Sequence, residues 1–210
     1  MASLSEKLAG RFIVFDGPDG CGKSTQLSLT AEWMSGQGLD VVTTRDPGGT
    51  AIGDEVRQLL LDTNHSKMTP ACETMLYMAS RAQLAAEVIR PAISAGKCVL
   101  CDRYISSTIA YQGAGGVDID AIRRAGDVAV GGLWPDVTLI LDLPADEGLA
   151  RLPGKPDRME AKALDFHEKV RDLFVLQAKA DPERFSIIDA SGSLEQVHER
   201  IVGVMESWNG

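Results

Sequence analysis

A chain of 210 residues with 44% hydrophobic side chains is long enough to bury a substantial core, and its length suits one α/β domain. Its formal charge of -9, from 30 acidic against 21 basic residues, excludes a general nucleic-acid or membrane-surface binder, so any bound anion must meet a local cluster of Arg and Lys. No apolar run approaches a bilayer span, and the four cysteines, at 21, 72, 98 and 101, suit a reducing compartment, so a soluble cytoplasmic protein is expected.

Short β-branched runs alternate with longer helical stretches, the pattern of βαβ units around a parallel sheet. The first strand is read at residues 11–15. It runs into FDGPDGCGKST, where Gly17, Gly20, Gly22, Lys23 and Ser24 satisfy G-x-x-x-x-G-K-S/T. Between a strand and a helix this pattern is a phosphate-binding loop, here Gly17, Pro18, Asp19, Gly20, Cys21, Gly22, Lys23, Ser24 and Thr25. Its backbone N–H groups wrap a nucleoside triphosphate, Lys23 reaches the β/γ oxygens, and Ser24 can ligate Mg²⁺. The loop also carries an acid, Asp19, and its only cation is Lys23, so further positive charge must come from elsewhere. A helix over 23–37 ends at Gly36 and Gly38.

A second strand at 40–44 leads to Arg45 and to Asp46-Pro47-Gly48-Gly49-Thr50, read as a mobile loop. Helices follow at 52–61 and 70–95, the latter bent by Pro91. In the second of these, Tyr77 and Arg81 lie four residues apart on one face, able to stack on a planar base and bond its edge. The same spacing fits Tyr77 in the core with Arg81 at the surface. The strand at 97–101 places Cys98 and Cys101 on opposite faces, which argues against a metal or redox pair. Just beyond it, Asp102 can hold a Mg²⁺-bound water and Arg103 can clamp an anion, unless the two form a structural pair. Further elements are a helix at 118–130, a strand at 137–142, a helix at 159–179, a strand at 185–189 and a helix at 194–208. Arg151, Lys155 and Arg158 concentrate in a Pro/Gly loop that can close over a nucleotide and bring cations to the transferring group. His65, His167 and His198 show no ligand spacing and receive no role. A GTPase is disfavoured, because Gly154-Lys155-Pro156-Asp157 lacks the Asn of the guanine-reading N-K-x-D motif.

FDGPDGCGKSTQ, TRDPGGT, MLYMASRAQ, DRYISSTIAYQG, PDVTLILDL and DRMEAKALDFHEKVR occur together and in this order. In these stretches, from about residue 12 to 190, the sequence resembles the thymidylate kinase family, of the bacterial type. The resemblance implies a P-loop NTPase fold with a five-stranded parallel sheet flanked by helices and a short mobile lid at about 150–159. It also implies a homodimer and Mg²⁺-ATP-dependent phosphorylation of dTMP to dTDP on the way to dTTP. By that resemblance Tyr77 stacks on thymine and Arg81 contacts its edge. Arg45 and Arg103 hold the dTMP phosphate, Thr108 and Gln112 lie near the base, Tyr111 lies beside the sugar, and Asp19 sits toward the acceptor. Asp16 and Asp46 stand where the family usually has Glu, Tyr77 where Phe is common, and the lid is short and poor in arginine. Other nucleoside monophosphate or deoxynucleoside kinases remain the alternative within this class. A phosphate monoester is mostly ionised at pH 7, with a second pKa of about 6, so transfer to it needs no general base. Thymine differs from uracil by one methyl group, worth about 1–3 kcal/mol, which predicts preference for dTMP over dUMP without exclusion.

Overall fold

The computed structural model describes residues 3–208. After a one-turn capped helix, α1 (Leu4–Leu8), the chain enters β1 (Phe12–Asp16), α2 (Lys23–Gly36), β2 (Val41–Arg45), α3 (Ala51–Leu61) and α4 (Pro70–Leu84). It continues through α5 (Arg90–Ser94), β3 (Cys98–Asp102), α6 (Ile105–Ala114), α7 (Ile119–Val130) and β4 (Val137–Asp142). The last elements are α8 (Ala145–Ala150), α9 (Leu164–Ala180), β5 (Phe185–Asp189) and α10 (Leu194–Ser207). The strands form one sheet in the order β2-β3-β1-β4-β5, and every pairing is parallel. β1 and β3 are buried on both faces apart from Asp102 at the end of β3, as expected of central strands covered by crossover helices.

Strand alternation divides the core. Ile13, Phe15, Cys98 and Leu100 pack with Leu27, Met34, Ile201 and Met205 from α2 and α10. Phe12, Val14, Val99 and Cys101 pack with Met78, Leu84, Ile109 and Ile122 from α4, α6 and α7. Cys98 and Cys101 therefore do point to opposite sides of the sheet, and burial pushes the Cys98 thiol up to about 12. Among the described residues no helix is long and apolar enough to cross a membrane.

Three strands end one residue later than read from sequence and so include Asp16, Arg45 and Asp102, each still within the parallel ladder. The helix expected over 70–95 is interrupted. Pro91 has no N–H and its ring would crowd the preceding turn, and the chain widens into a π turn at Ala85–Ile89 just ahead of it. The helix expected from 159 begins instead at Leu164, because Asp157 Oδ1 takes the backbone N–H groups of Met159 and Glu160 into a local turn. α6 and α8 were not anticipated. In α6 every residue from Ile105 to Gln112 is buried, so no amphipathic period marks it.

The segment expected to be a mobile loop, Asp46–Thr50, is pinned. Asp46 N–H donates to the Asp102 carbonyl at 2.9 Å, Gly48 N–H to Ser80 Oγ at 3.1 Å, and Thr50 caps α3 through the Gly53 N–H. Asp46, Pro47 and Gly48 are buried.

Candidate active site

Beyond the carboxyl ends of the strands lies a cleft of about 710 Å³, where an open parallel sheet binds ligands. Its two ends are built differently.

At one end the loop Gly17–Gly22 leads into α2. Gly22 takes the left-handed conformation as the N-cap, at φ 92°, which leaves the helix's first N–H groups facing the cleft. Asp19, Gly20, Gly22, Lys23, Ser24 and Thr25 line the cleft, while Gly17, Pro18 and Cys21 lie buried behind them. Lys23 Nζ is folded onto the carbonyls of Gly17, at 3.2 Å, and Pro18, at 2.6 Å. Ser24 Oγ donates to Asp102 Oδ2 at 2.5 Å, joining the start of α2 to the end of β3. The loop also presses on α8: a β-carbon built on Gly20 would collide with the Gly148 carbonyl, and one on Gly148 with the Asp19 carbonyl.

At the other end cations from several elements converge, most of them held by a carboxylate. Arg103, just past β3, adopts φ 70°, an uncommon conformation for a residue with a side chain. Its guanidinium donates to Asp19 Oδ1 at 2.5 Å, Ser107 Oγ at 2.9 Å and the Gly17 carbonyl at 3.2 Å, and lies 5.1 Å from the centre of the Tyr111 ring. Behind it Asp16, fully buried, accepts from the hydroxyls of Ser106 and Ser107, both at 2.6 Å. Burial raises the Asp16 carboxyl pKa against the pull of Arg103. For Asp19 the balance reverses: burial opposes ionisation, but Arg103 and then Lys23 outweigh it and hold the carboxyl below its usual range.

Arg81 is 1% exposed, so the surface alternative for it fails. Its Nε donates to Asp46 Oδ2 at 2.6 Å and its terminal nitrogen to Thr108 Oγ1 at 3.1 Å and the Tyr104 carbonyl at 3.0 Å. Asp46 is fully buried, and desolvation raises its pKa despite Arg81. Tyr77 and Arg81 both line the cleft, as do Thr108, Tyr111 and Gln112 from α6. Arg45, half-exposed and 3.4 Å from Asp54, lines it as well.

Of the three cations in the 151–158 loop, Arg151 lines the cleft and Lys155 is exposed. Arg158 is buried at the foot of the loop, 2.5 Å from Glu73 and donating its Nε to the Leu60 carbonyl at 2.8 Å. Glu73 also accepts from the Gln112 side-chain amide at 2.6 Å.

Several residues here carried no signal in the sequence. Arg57 lines the cleft and donates to the Pro47 carbonyl; burial, and then its neighbour Arg45, lower its pKa. His167, assigned no role from sequence, is buried with Nδ1 3.9 Å from Asp19 Oδ2, and neither that oxygen nor His167 Nε2 has a hydrogen-bond partner among the described residues. Ser106, Ser107 and Glu73 act as braces that only the folded chain brings into contact. His65 and His198 do not line the cleft.

Comparison with known proteins agrees with this geometry. The family model described as thymidylate kinase matches residues 15–201. A thymidylate kinase from an Exiguobacterium species is 46% identical over 198 residues, 93% of this chain and 93% of the relative. One from Roseiflexus castenholzii is 42% identical over 213 residues, covering 94% of this chain and 93% of the relative. The crystal structure of thymidylate kinase from Ehrlichia chaffeensis superposes with a TM-score of 0.78 at 33% identity, over 94% of this chain and 99% of that one. With five parallel strands, a phosphate loop and these matches along nearly its whole length, the chain belongs to the thymidylate kinase family.

Proposed function

We propose that this protein transfers the γ-phosphoryl group of ATP to dTMP, yielding dTDP and ADP on the way to dTTP for DNA replication. The observation that carries this reading is the pairing, in one cleft, of a phosphate loop with a second cationic end. That end surrounds Arg103, Arg81 and Arg45 and has the half-buried ring of Tyr77 beside it. One end suits a polyphosphate and the other a planar base bearing a single phosphate.

The mechanism follows from charge and alignment. Lys23 turns from the carbonyls that now hold it to the β/γ oxygens of ATP. Arg103, with Arg45 and Arg57 nearby, holds the acceptor phosphate in line. Tyr77 stacks on the base, Arg81 and Gln112 meet its edge with Thr108 beside them, and Tyr111 packs against the sugar. Asp19, whose depressed pKa makes it a poor base, orients Arg103 and takes no proton. The acceptor's own phosphate is already the nucleophile, so the obstacle is repulsion between two anions, overcome by fixed cations in a closed cleft.

Mg²⁺ fits the hard oxygens of Ser24 Oγ and Asp102 Oδ2 at the mouth of the loop. Held there by Ser24 and Asp102 with ATP, Mg²⁺ would supply charge neutralisation on the donor phosphates. Arg151, which already lines the cleft, is the lid cation assigned to this task, with the exposed Lys155 the next candidate, while Arg158 anchors the foot of the lid, residues 150–159. The chain works as a single kinase domain, as a homodimer and in the cytoplasm.

The test incubates purified protein with Mg-ATP and a panel of nucleoside monophosphates while ADP release is followed. dTMP is expected to be the best acceptor. Equal rates with CMP, AMP or GMP would overturn the reading.

A further inference from the structure

We infer that Glu73 determines which pyrimidine the cleft accepts, by holding the side-chain amide of Gln112 in one orientation. The inference rests on the reading above, in which Gln112 meets the base.

Glu73 lies in the first turn of α4, 8% exposed, one helical turn before Tyr77. One of its oxygens, Oε1, accepts from Gln112 Nε2 at 2.6 Å, and the other, Oε2, lies 2.5 Å from Arg158. Arg158 also grips the last turn of α3 through the Leu60 carbonyl. A single carboxylate thus joins α3, α4, α6 and the foot of the lid. Arg158 supplies the countercharge that a carboxylate at this depth requires.

A glutamine amide has a donor end and an acceptor end of nearly equal size, so left free it can offer either to a ligand. Beside a carboxylate it has no such choice. Turning the amide over would place two oxygens face to face and break a charge-assisted hydrogen bond in a buried site. Nε2 is therefore committed to Glu73, and what Gln112 keeps for the cleft it lines is Oε1, which has no partner among the described residues. An acceptor at that position favours a base edge that carries N–H, as N3 of thymine and uracil does. It disfavours cytosine, whose N3 is itself an acceptor. Glu73 touches no substrate in this arrangement, so it is a positioning residue that acts through Gln112. The same contact ties base selection to the lid: a base that pushes Gln112 aside also disturbs Glu73 and Arg158.

The test is Glu73→Gln, which keeps the shape but lets the amide of Gln112 bond either way round. kcat/KM is measured for dTMP and dCMP with Mg-ATP, in the wild-type background and in Gln112→Leu. The preference for dTMP over dCMP is expected to fall about tenfold, with KM for ATP unchanged. In the Gln112→Leu background Glu73→Gln is expected to leave that ratio where it is. A preference that survives in folded Glu73→Gln, or that falls equally in both backgrounds, overturns the inference. Should Glu73→Gln not fold, the side-chain amide signals of Gln112 in the wild-type protein, assigned by their loss in Gln112→Leu, decide instead. A downfield, slowly exchanging N–H supports the inference, and a pair with ordinary solvent-exposed behaviour overturns it. Loss of the functional reading is distinguishable, because then the wild-type protein itself shows no preference for dTMP.

Discussion

Where the cleft faces the donor, one unbroken run from Gly17 to Ser24 presents mostly main chain, and its binding power comes from N–H groups and a helix terminus. Where we place the acceptor, the groups arrive as side chains from β2, α4, α6 and the turn after β3, and two of the arginines, Arg81 and Arg103, are each paired with a carboxylate. Asp46 holds Arg81, and Asp16 and Asp19 hold Arg103. A main-chain site tolerates changes of side chain but not of backbone shape. A side-chain site depends on the acid behind each base as much as on the base itself, and it fails piece by piece.

The largest expected effect tests the donor end. Lys23→Ala is expected to lower kcat on the order of 10³-fold in the ADP-release assay, with KM for dTMP little changed. A kcat near wild type would show that the loop's backbone suffices without its cation. At the acceptor end, Arg103→Ala is expected to reduce kcat/KM for dTMP about 10²-fold. It is also expected to destabilise the protein by about 3 kcal/mol in urea unfolding, because Asp16 and Asp19 lose their shared countercharge inside the protein. Catalytic loss with full stability would mean that those acids do not depend on Arg103.

Asp46→Asn isolates the brace from the base. Arg81 remains, but its charged partner is gone, and KM for dTMP is expected to rise about tenfold while KM for ATP holds. A parallel rise in both constants would erase the distinction between the two ends. Arg151 lines the cleft from the 150–159 loop, the proposed lid. Its replacement by Ala is expected to lower kcat severalfold and change KM for dTMP less, and an unchanged kcat would pass the role to Lys155.

The smallest effect is in pH. The folded-state pKa of Asp19 is depressed, so its ion pair contributes stability that is fully present above the unfolded carboxylate value of about 3.9 and is lost as pH falls through the lower folded value. The melting temperature of Asp19→Asn is therefore expected to lie about 2–4 °C below wild type at pH 7, with the gap closing in strong acid. A gap that widened on acidification would reverse the sign assigned to Asp19.

The difference between the two ends also explains what could be read before any coordinates. The phosphate loop and the five strands are contiguous patterns, legible because their partners are the neighbouring residues or the next layer of the sheet. Tyr77 and Arg81 were marked by their helical spacing and Arg45 by its place at a strand end, Thr108, Tyr111 and Gln112 were reached through resemblance, and the structure brings all six to one cleft. The braces behind them were not legible. Glu73 and Gln112 are 39 positions apart, Asp16 and Ser106 are 90 apart, and nothing local marks either partner. α6, which supplies half the acceptor end, escaped for a related reason: buried all round, it has no polar face to give it a period. The Asp46–Thr50 turn, rich in Gly and Pro, looked mobile because composition reports local flexibility and not the tertiary bonds that remove it.

The contact between Gly20 and Gly148 carries a consequence for engineering. α8 leads into the 150–159 loop that we propose as the lid, and it abuts the phosphate loop with backbone against backbone at Gly20 and Gly148. Segments grafted from relatives downstream of residue 150 must keep Arg151, which lines the cleft, and Arg158, which is paired with Glu73. The glycine pair works as a keyway: a single methyl group on either side would force loop and α8 apart.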